Sequence, residues 1–451
     1  MNPLLPIAVL SAIIYPLWNL LWWFLPVYKG WSKGLKRIDF TELKTEDLPT
    51  ISIFLPVYKE GGVLKQLLGA LNKLNYPSQK LDIKMLLERD DDETINAIGV
   101  MNDGQNYRVQ YDSKGLPKLI NCQTRKVSIV YVEDGPRTKP NALNSGLKKA
   151  TGEIVGIYDA EDMPEPDQLE KVAFYFTTKP NIACVQAKLN FYNQNQSLIT
   201  KFFAIEYSGW FDLFMPGWHG LGWVIPLGGT SNFVRRSVLQ KIGGWDPYCV
   251  TEDADLGIRL ARKGYETAVI DSTTWEEAVP LLRPWIRQRT RWMKGFLQCL
   301  IKHCKNPIKL IKETNLKKAA SIYLIGLQPI ITMLFLPMLL FTSIYWLNWI
   351  GFPLWGPLTT FASLVHGAFS NPLIFYLSLG CFVLGNITWL LCNLPGIIRR
   401  GFFNLIKYVY LIFIYWCLQS LGAWRGLIEL IIHPHHWHKT PHGYHLKRTP
   451  L

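Results

Sequence analysis

The stretch TEDADLGIRL, residues 251–260, sets Glu252, Asp253 and Asp255 within four positions, with Arg259 and Arg262 among the apolar residues that follow. Two roles fit this pattern. Thr251 can cap a helix whose acidic first turn complements the helix dipole, and a carboxylate displayed at such a turn is also what general-base chemistry needs. A second acidic group, YDAEDMPEPD (158–167), places Asp159 and Glu161 two residues apart, just past an apolar run. Oxygen ligands so placed suit a hard divalent ion, Mg2+ or Mn2+, held against substrate phosphates. An acidic turn stiffened by Pro164 and Pro166 is the structural alternative. LLERDDDET (86–94) ends another apolar run in acids that can hydrogen-bond a nucleobase or ribose, or simply face water. In RPWIRQRTRWMKG (283–295), Arg287, Arg289 and Arg291 alternate with bulky residues. Guanidinium forks suit phosphate oxygens, and Trp292 offers a flat face to a sugar ring. The same pattern suits a basic amphipathic helix on lipid headgroups, and the two roles are compatible.

The elements around these groups alternate. ISIFLPVY (51–58), DIKMLL (82–87), VSIVYV (127–132), EIVGIYD (153–159) and NIACVQAKL (181–189) read as strands, and GGVLKQLLGALNKL (61–74) and KPNALNSGLKKA (139–150) as helices. That order predicts an α/β layer fold with a mostly parallel sheet, in which ligands sit at the carboxyl ends of strands. Tyr58, Glu88 and Asp159 each end or follow a strand and are expected around one crevice. Residues 101–125 are polar and read as an inserted surface loop.

The chain of 451 residues is 49% hydrophobic with 18 tryptophans, a composition that points to membrane interfaces. Its net charge of +14 suits an anionic surface or a phosphate-bearing substrate. No nucleic-acid-binding motif is present, so nucleic acid is not an expected partner. The eight scattered cysteines show neither CxxC nor zinc spacing and read as reduced core residues. Residues 4–26 carry no charge and are long enough to span a bilayer. Lys29, Lys33, Lys36 and Arg37 then place residue 30 onward in the cytosol. Further spans are expected over 319–346, 371–394 and 404–421; residues 353–370 either cross as a short fourth, which returns the basic tail to the cytosolic side, or lie in the interface. The expected organisation is a membrane helix (1–30), a cytosolic catalytic domain (31–282), interfacial helices (283–316), a membrane bundle (317–432) and a His-rich tail (433–451). His433, His435, His436 and His438 lack a partner cluster that would make a metal site.

Taken in order, PVYKE, KPNALN, DAED, GGTSNF, TED and QRTRW resemble the processive, membrane-embedded family 2 glycosyltransferases, which include cellulose, chitin, mannan and hyaluronan synthases. The resemblance covers about residues 50–300, and QRTRW is its most specific part. It implies a GT-A-type, Rossmann-like domain beside a transmembrane bundle in the plasma membrane. It also implies an inverting polymerase that uses a nucleotide sugar, with a UDP-sugar favoured and GDP-mannose as the alternative. A growing, glucan-like β-polysaccharide is the implied acceptor and product. By position, Pro56, Tyr58, Glu60, Glu88, Lys139, Asp159 and Arg289 would bind nucleotide, and Asp159 and Glu161 the metal. Thr230, Ser231, Asn232, Glu252, Arg291 and Trp292 would face sugar and acceptor, and Asp253 would be the base. Trp437, Lys439 and Thr440 resemble a short element that closes over the nucleotide. A cellulose-type F-x-V-T-x-K segment is absent from the sequence. The competing expectations are a transferase that glycosylates a lipid carrier and an inactive receptor or scaffold on the same fold.

Overall fold

The computed structural model describes residues 24–33, 43–349, 351, 372–434 and 443–444. Trp437, Lys439 and Thr440, residues 353–370 and most of the expected N-terminal span lie outside them. In chain order the elements are α1 (Leu25–Lys33), β1 (Ile51–Val57), α2 (Leu64–Asn72), β2 (Leu81–Leu87), α3 (Asp92–Met101), β3 (Tyr107–Tyr111), β4 (Pro117–Cys122) and β5 (Arg125–Tyr131). They continue with α4 (Lys139–Lys149), β6 (Ile154–Ile157), β7 (Met163–Pro164), α5 (Gln168–Thr178), β8 (Ile182–Phe191), α6 (Leu198–Gly209), α7 (Met215–Leu221), β9 (Asn232–Arg235), α8 (Arg236–Lys241), α9 (Glu252–Arg262) and β10 (Glu266–Glu276). Among the described residues five α-helices follow: α10 (Leu282–Cys304), α11 (Pro307–Glu313), α12 (Leu316–Trp349), α13 (Pro372–Arg399) and α14 (Ile412–Ile432).

One ten-stranded sheet runs β3-β4-β5-β2-β1-β6-β9-β8-β10-β7. The parallel centre β5-β2-β1-β6 is built from strands apolar on both faces, as burial between helical layers demands. On one side Ile53, Leu55, Leu67 and Val172 pack together, and on the other Phe54, Leu143, Val155 and Leu256. The expectation of a mostly parallel sheet is corrected. Four pairings are parallel and five antiparallel, because β9 pairs antiparallel with β6 and β8, and the β3-β4 hairpin extends the far edge. That hairpin also replaces the surface loop read over 101–125. Its first strand, YRVQY, alternates apolar and polar residues, with Tyr107 and Val109 against the core, and Asp112 Oδ1 closes the turn by accepting from the Lys114 and Leu116 amides at 2.8 and 3.0 Å.

Register aligns the ends that matter. Val57 lies opposite Leu87, and Phe54 opposite Ile157, so β1, β2 and β6 deliver Tyr58, Glu88 and Asp159 to the same edge.

The helices after β10 pack onto that edge. Aromatic and aliphatic side chains of α6, α10 and α14, among them Phe202, Trp285 and Tyr415, form a further core. Among the described residues, one helical segment, Phe403–Ile432, is long and apolar enough to cross a membrane. Both its ends are tied to neighbouring elements. Asn404 donates to Asn195 at 2.8 Å, and the His433 carbonyl accepts from Lys294 of α10 at 3.2 Å. The first end of α12 and the last end of α13 are tied to the α/β layer as well. Ser321 Oγ accepts from the Val224 amide at 3.1 Å, and Arg400 pairs with Asp212.

Candidate active site

The strand ends open into one cavity of about 470 Å3, walled by β1, β2, β6, α4, α9 and α10 and reaching α12 and α14. Asp159 follows β6. Its backbone amide donates to Asp162 Oδ2 at 2.7 Å, which bends the chain so that Asp159 and Glu161 both line the cavity. The Asp159 carboxylate pairs with Lys139, whose Nζ also donates to the Gly229 carbonyl at 2.8 Å. Lys139 opens α4 with Pro140 behind it, where a missing amide costs the helix nothing.

Carboxylates outnumber cations here. Glu276, at the end of β10, joins Asp159 and Glu161 in the cavity wall, and fully buried Asp162 lies behind them. Burial, then mutual repulsion, pushes the Asp162 and Glu276 carboxyls well above the usual range. Asp162 Oδ1 has no hydrogen-bond partner among the described residues. A hard divalent cation fits this set: hard oxygen donors, excess negative charge and an orphaned buried oxygen. Among the described residues no three such side chains form a closed metal cage. An ion there would keep positions for phosphate oxygens, as Mg2+ characteristically does.

Opposite this ledge is the first turn of α9. Glu252 and Asp253 line the cavity, while Asp255, two residues on and therefore about 200° round the helix, turns away. Asp255 is fully buried, accepting from Arg259 at 2.6 Å, Lys302 at 2.7 Å and His303 at 2.8 Å. Despite burial, these partners hold its carboxyl well below the usual range. Thr251 occupies the cap position but makes no side-chain cap bond, a correction to the capping expectation. It is instead pressed against α10, where a Cβ on Gly295 would come within 2.3 Å of Thr251 Cγ2, so only glycine permits the approach. Gly229 separates Asp253 from Lys139: a Cβ there would lie 3.6 Å from Asp253 Oδ2 and 4.0 Å from Lys139 Nζ. Burial raises the carboxyls of both Glu252 and Asp253, and Asp253 adds to the rise at Glu252.

The two arginines of QRTRW diverge. Arg291 is half-buried in the wall, where Glu252, Asp253 and Asp159 favour its charge against a larger desolvation. Arg289 also reaches the cavity, but it pairs with Glu206 at 2.5 Å and donates to Tyr415 at 2.5 Å. Its guanidinium lies 4.3 Å from the Phe203 ring and 4.6 Å from the Trp292 ring. Arg289 thus ties α6, α10 and α14 together. Of the GGTSNF loop, Gly228, Gly229 and Thr230 line the cavity. Ser231 and Asn232 do not. Ser231, at φ 53°, donates to Thr274 at 2.6 Å, and Asn232 donates to the Gly228 carbonyl at 2.8 Å, so both brace the loop from beneath. Pro56, Tyr58, Glu60 and Glu88 line the end nearest β1 and β2, and Trp292 the end nearest α6.

A sequence profile described as glycosyl transferase family group 2 matches residues 154–421, and one described as glycosyl transferase family 2 matches residues 52–243. The chain belongs to this glycosyltransferase family. It is 27% identical to the probable glycosyltransferase YdaM of Bacillus subtilis over 59% of its own length and 60% of that protein. It is 28% identical to glucomannan 4-beta-mannosyltransferase 2 of Arabidopsis thaliana over 65% of its length and 54% of that protein. The chain therefore spans a little over half of these relatives. Among solved structures it resembles the mannosyltransferase PcManGT of Pyrobaculum calidifontis, determined with GDP-Man and Mn2+. That similarity covers 95% of this chain and 98% of the other at a TM-score of 0.52 and 16% identity, and it supports the mixed α/β GT-A-like fold. The protein is a transferase enzyme.

Several wall residues of this glycosyltransferase escape sequence reasoning. Glu276 carried a usable signal, an acid at a strand's end like Asp159. Arg137, Glu206, Tyr207, Gln328 and Gln419 carried none, because each reaches the cavity only through tertiary packing.

The shifted pair on α9 predicts a pH dependence. A general base works deprotonated, so activity falls as pH drops through its pKa. With Asp253 as that base, its raised pKa is expected to set the acid limb of kcat/KM above the value of about 4 of an ordinary carboxylate. Glu252→Gln removes a neighbouring charge and is expected to move the limb to lower pH. A limb left in place by this change would rule out coupling of the base to Glu252.

Proposed function

We propose that this glycosyltransferase is an inverting, processive polysaccharide synthase that transfers mannosyl units from a nucleoside diphosphate donor to a β-linked chain. The observation that carries the reading is the continuity of the cavity. It runs from Glu88 past Asp159, Glu161 and Asp253 to Gln328 and Gln419 on α12 and α14. A donor at one end and a lengthening acceptor at the other can meet in the middle. The resemblance in sequence favoured a UDP-sugar and a glucan-like product. The naming of several relatives as glucomannan 4-beta-mannosyltransferases moves the sugar towards mannose.

Asp253 takes the proton of the acceptor hydroxyl, which attacks the anomeric carbon from the face opposite the diphosphate. One base and one displacement invert the configuration. Lys139 and Arg291 bring positive charge to the departing diphosphate inside a water-poor wall. Asp159 and Glu161 would hold Mg2+ or Mn2+, which when bound supplies Lewis-acid charge against the same oxygens. Trp292 and the glutamines present a stacking face and hydrogen-bonding groups to acceptor sugars.

The protein is read as an integral, multi-pass membrane enzyme with its α/β domain in the cytosol. Both domain-side ends of α12 and α13 are anchored, so this pair leaves and returns. The segment 403–432 was expected to span over 404–421, but with both ends held by neighbouring elements it is read instead as lying along the domain, so that the tail begins on the cytosolic side.

The test uses purified protein in detergent with a panel of GDP- and UDP-sugars. A high-molecular-weight, mannanase-digestible product is expected, together with loss of activity in EDTA and its return with Mg2+ or Mn2+. Products of one sugar on a lipid acceptor would replace this reading with that of a lipid-carrier transferase.

A further inference from the structure

This inference rests on reading Asp253 as the base. We propose that His303 is a positioning residue that acts through Asp255 to set Asp253 relative to Arg291. Asp253 stands in the first turn of α9 and Arg291 in α10, so their relation depends on how those two helices are fastened. Two ties flank the base. Before it, the Val250 amide donates to Gln298 Oε1 of α10 at 3.1 Å. After it, Asp255 takes its three donors. Arg259 lies on α9 itself, one turn on, and cannot join the helices. Lys302 comes from α10, but its side chain is 40% exposed and its ammonium is shared with Asp246 at 2.7 Å. Among the described residues, His303, with a side chain 2% exposed, is the buried donor that reaches Asp255 from α10.

The two ring nitrogens of His303 have different partners. Nδ1 lies 3.0 Å from Arg262 Nη1, and a guanidinium only donates, so Nδ1 accepts. The ring proton is therefore on Nε2, which donates to Asp255 Oδ1 at 2.8 Å. Arg262 is held in turn by Glu313 of α11, with Nε 2.7 Å from Glu313 Oε2. A buried ring engaged at both edges cannot swing, whereas a lysine in water can. The backbone between Asp253 and Asp255 is one helical turn, so a displaced Asp255 carries the base with it. Small displacements of a reacting group are costly to rate and nearly free to binding elsewhere in the site.

Two substitutions separate the nitrogens. The amide nitrogen of glutamine lies as many bonds from the backbone as Nε2, and the amide oxygen of asparagine as many as Nδ1. His303→Gln therefore keeps a donor for Asp255 and gives up the acceptor for Arg262, which Glu313 still holds. His303→Asn does the opposite. The full-length variants in detergent are assayed with Mn2+ and the donor that turns over fastest in the panel of GDP- and UDP-sugars. The matching nucleoside diphosphate is titrated calorimetrically to count folded sites. Per folded site, His303→Asn is expected to lose about tenfold or more in kcat, with donor KM and nucleotide affinity unchanged. His303→Gln is expected to keep kcat near that of the unmodified protein. Equal rates in the two variants overturn the inference. So does a defect confined to thermal unfolding, which would make His303 a purely structural residue. Where His303→Asn leaves no folded sites, His303→Gln still decides: a reduced kcat overturns the inference, and an unchanged one upholds the Nε2 bond. The two readings fail separately. Full turnover in Asp253→Asn removes the base assignment whatever His303 does. An inert Asp253→Asn beside a normal His303→Asn removes this inference alone.

Discussion

Asp253→Asn is expected to lower kcat by about 10^2- to 10^4-fold, the usual contribution of a positioned base. KM for the donor should stay nearly unchanged. The substitution is close to isosteric, and Asn keeps an oxygen that can accept from the Ala254 amide, now at 2.8 Å from Asp253 Oδ1. The first turn of α9 should therefore hold its shape. What disappears is the ability to take a proton, and with it one negative charge beside Glu252 and Arg291. Nucleotide binding, measured by calorimetry, should be retained, because Lys139, Asp159 and the β1–β2 end of the cavity are untouched. Steady-state kinetics with the productive donor separate the two effects. A variant that loses binding and turnover together would show Asp253 to be holding the site rather than acting in it. A variant with full kcat would move the base elsewhere, with Glu276 and Glu252 the carboxylates left to carry it.

Asp253 was legible because helical geometry does not depend on tertiary detail. Residues two apart on a helix point in nearly opposite directions, so of Asp253 and Asp255 one faces the crevice and the other the protein. The strand ends were legible for a similar reason. An apolar run closed by an acid is a buried strand reaching the sheet's edge, and this placed Tyr58, Glu88 and Asp159 together. The antiparallel insertion of β9 was not legible. Its four residues, NFVR, are too few to show a period, and pairing with both β6 and β8 is a property of the whole sheet. Ser231 and Asn232 were assigned to the sugar pocket because a motif was read as a block. A loop that turns at φ 53° cannot present every side chain to the same side. The β3-β4 hairpin did carry a signal, the alternation of YRVQY, but it is one short run in a polar stretch and its partner PKLINC does not alternate.

The same geometry applied to QRTRW separates Arg289 from Arg291 and predicts different outcomes for their removal. Both were expected to serve diphosphate and acceptor. On α10 they diverge, and each has found a different kind of partner. Arg289→Ala leaves Glu206 half-buried against Tyr415 and Gln419 without its cation, where Tyr415 donates at 2.7 Å and Gln419 at 2.9 Å. Breaking a fully buried pair from one side costs about 3–5 kcal/mol, most of it the stranded charge, and the cost here is smaller because water reaches Glu206. Earlier thermal unfolding in detergent is expected. The double change Arg289→Met with Glu206→Gln removes both charges, keeps most of the volume, and should recover much of that loss. Arg291→Ala removes a cation from beside Glu252 and Asp253 and should do the reverse, with unfolding little changed and kcat sharply reduced. Thermal unfolding and initial rates on the same preparations decide the matter. If Arg289→Ala melts normally yet fails to turn over, its pairing with Glu206 opens during catalysis and Arg289 reaches substrate after all.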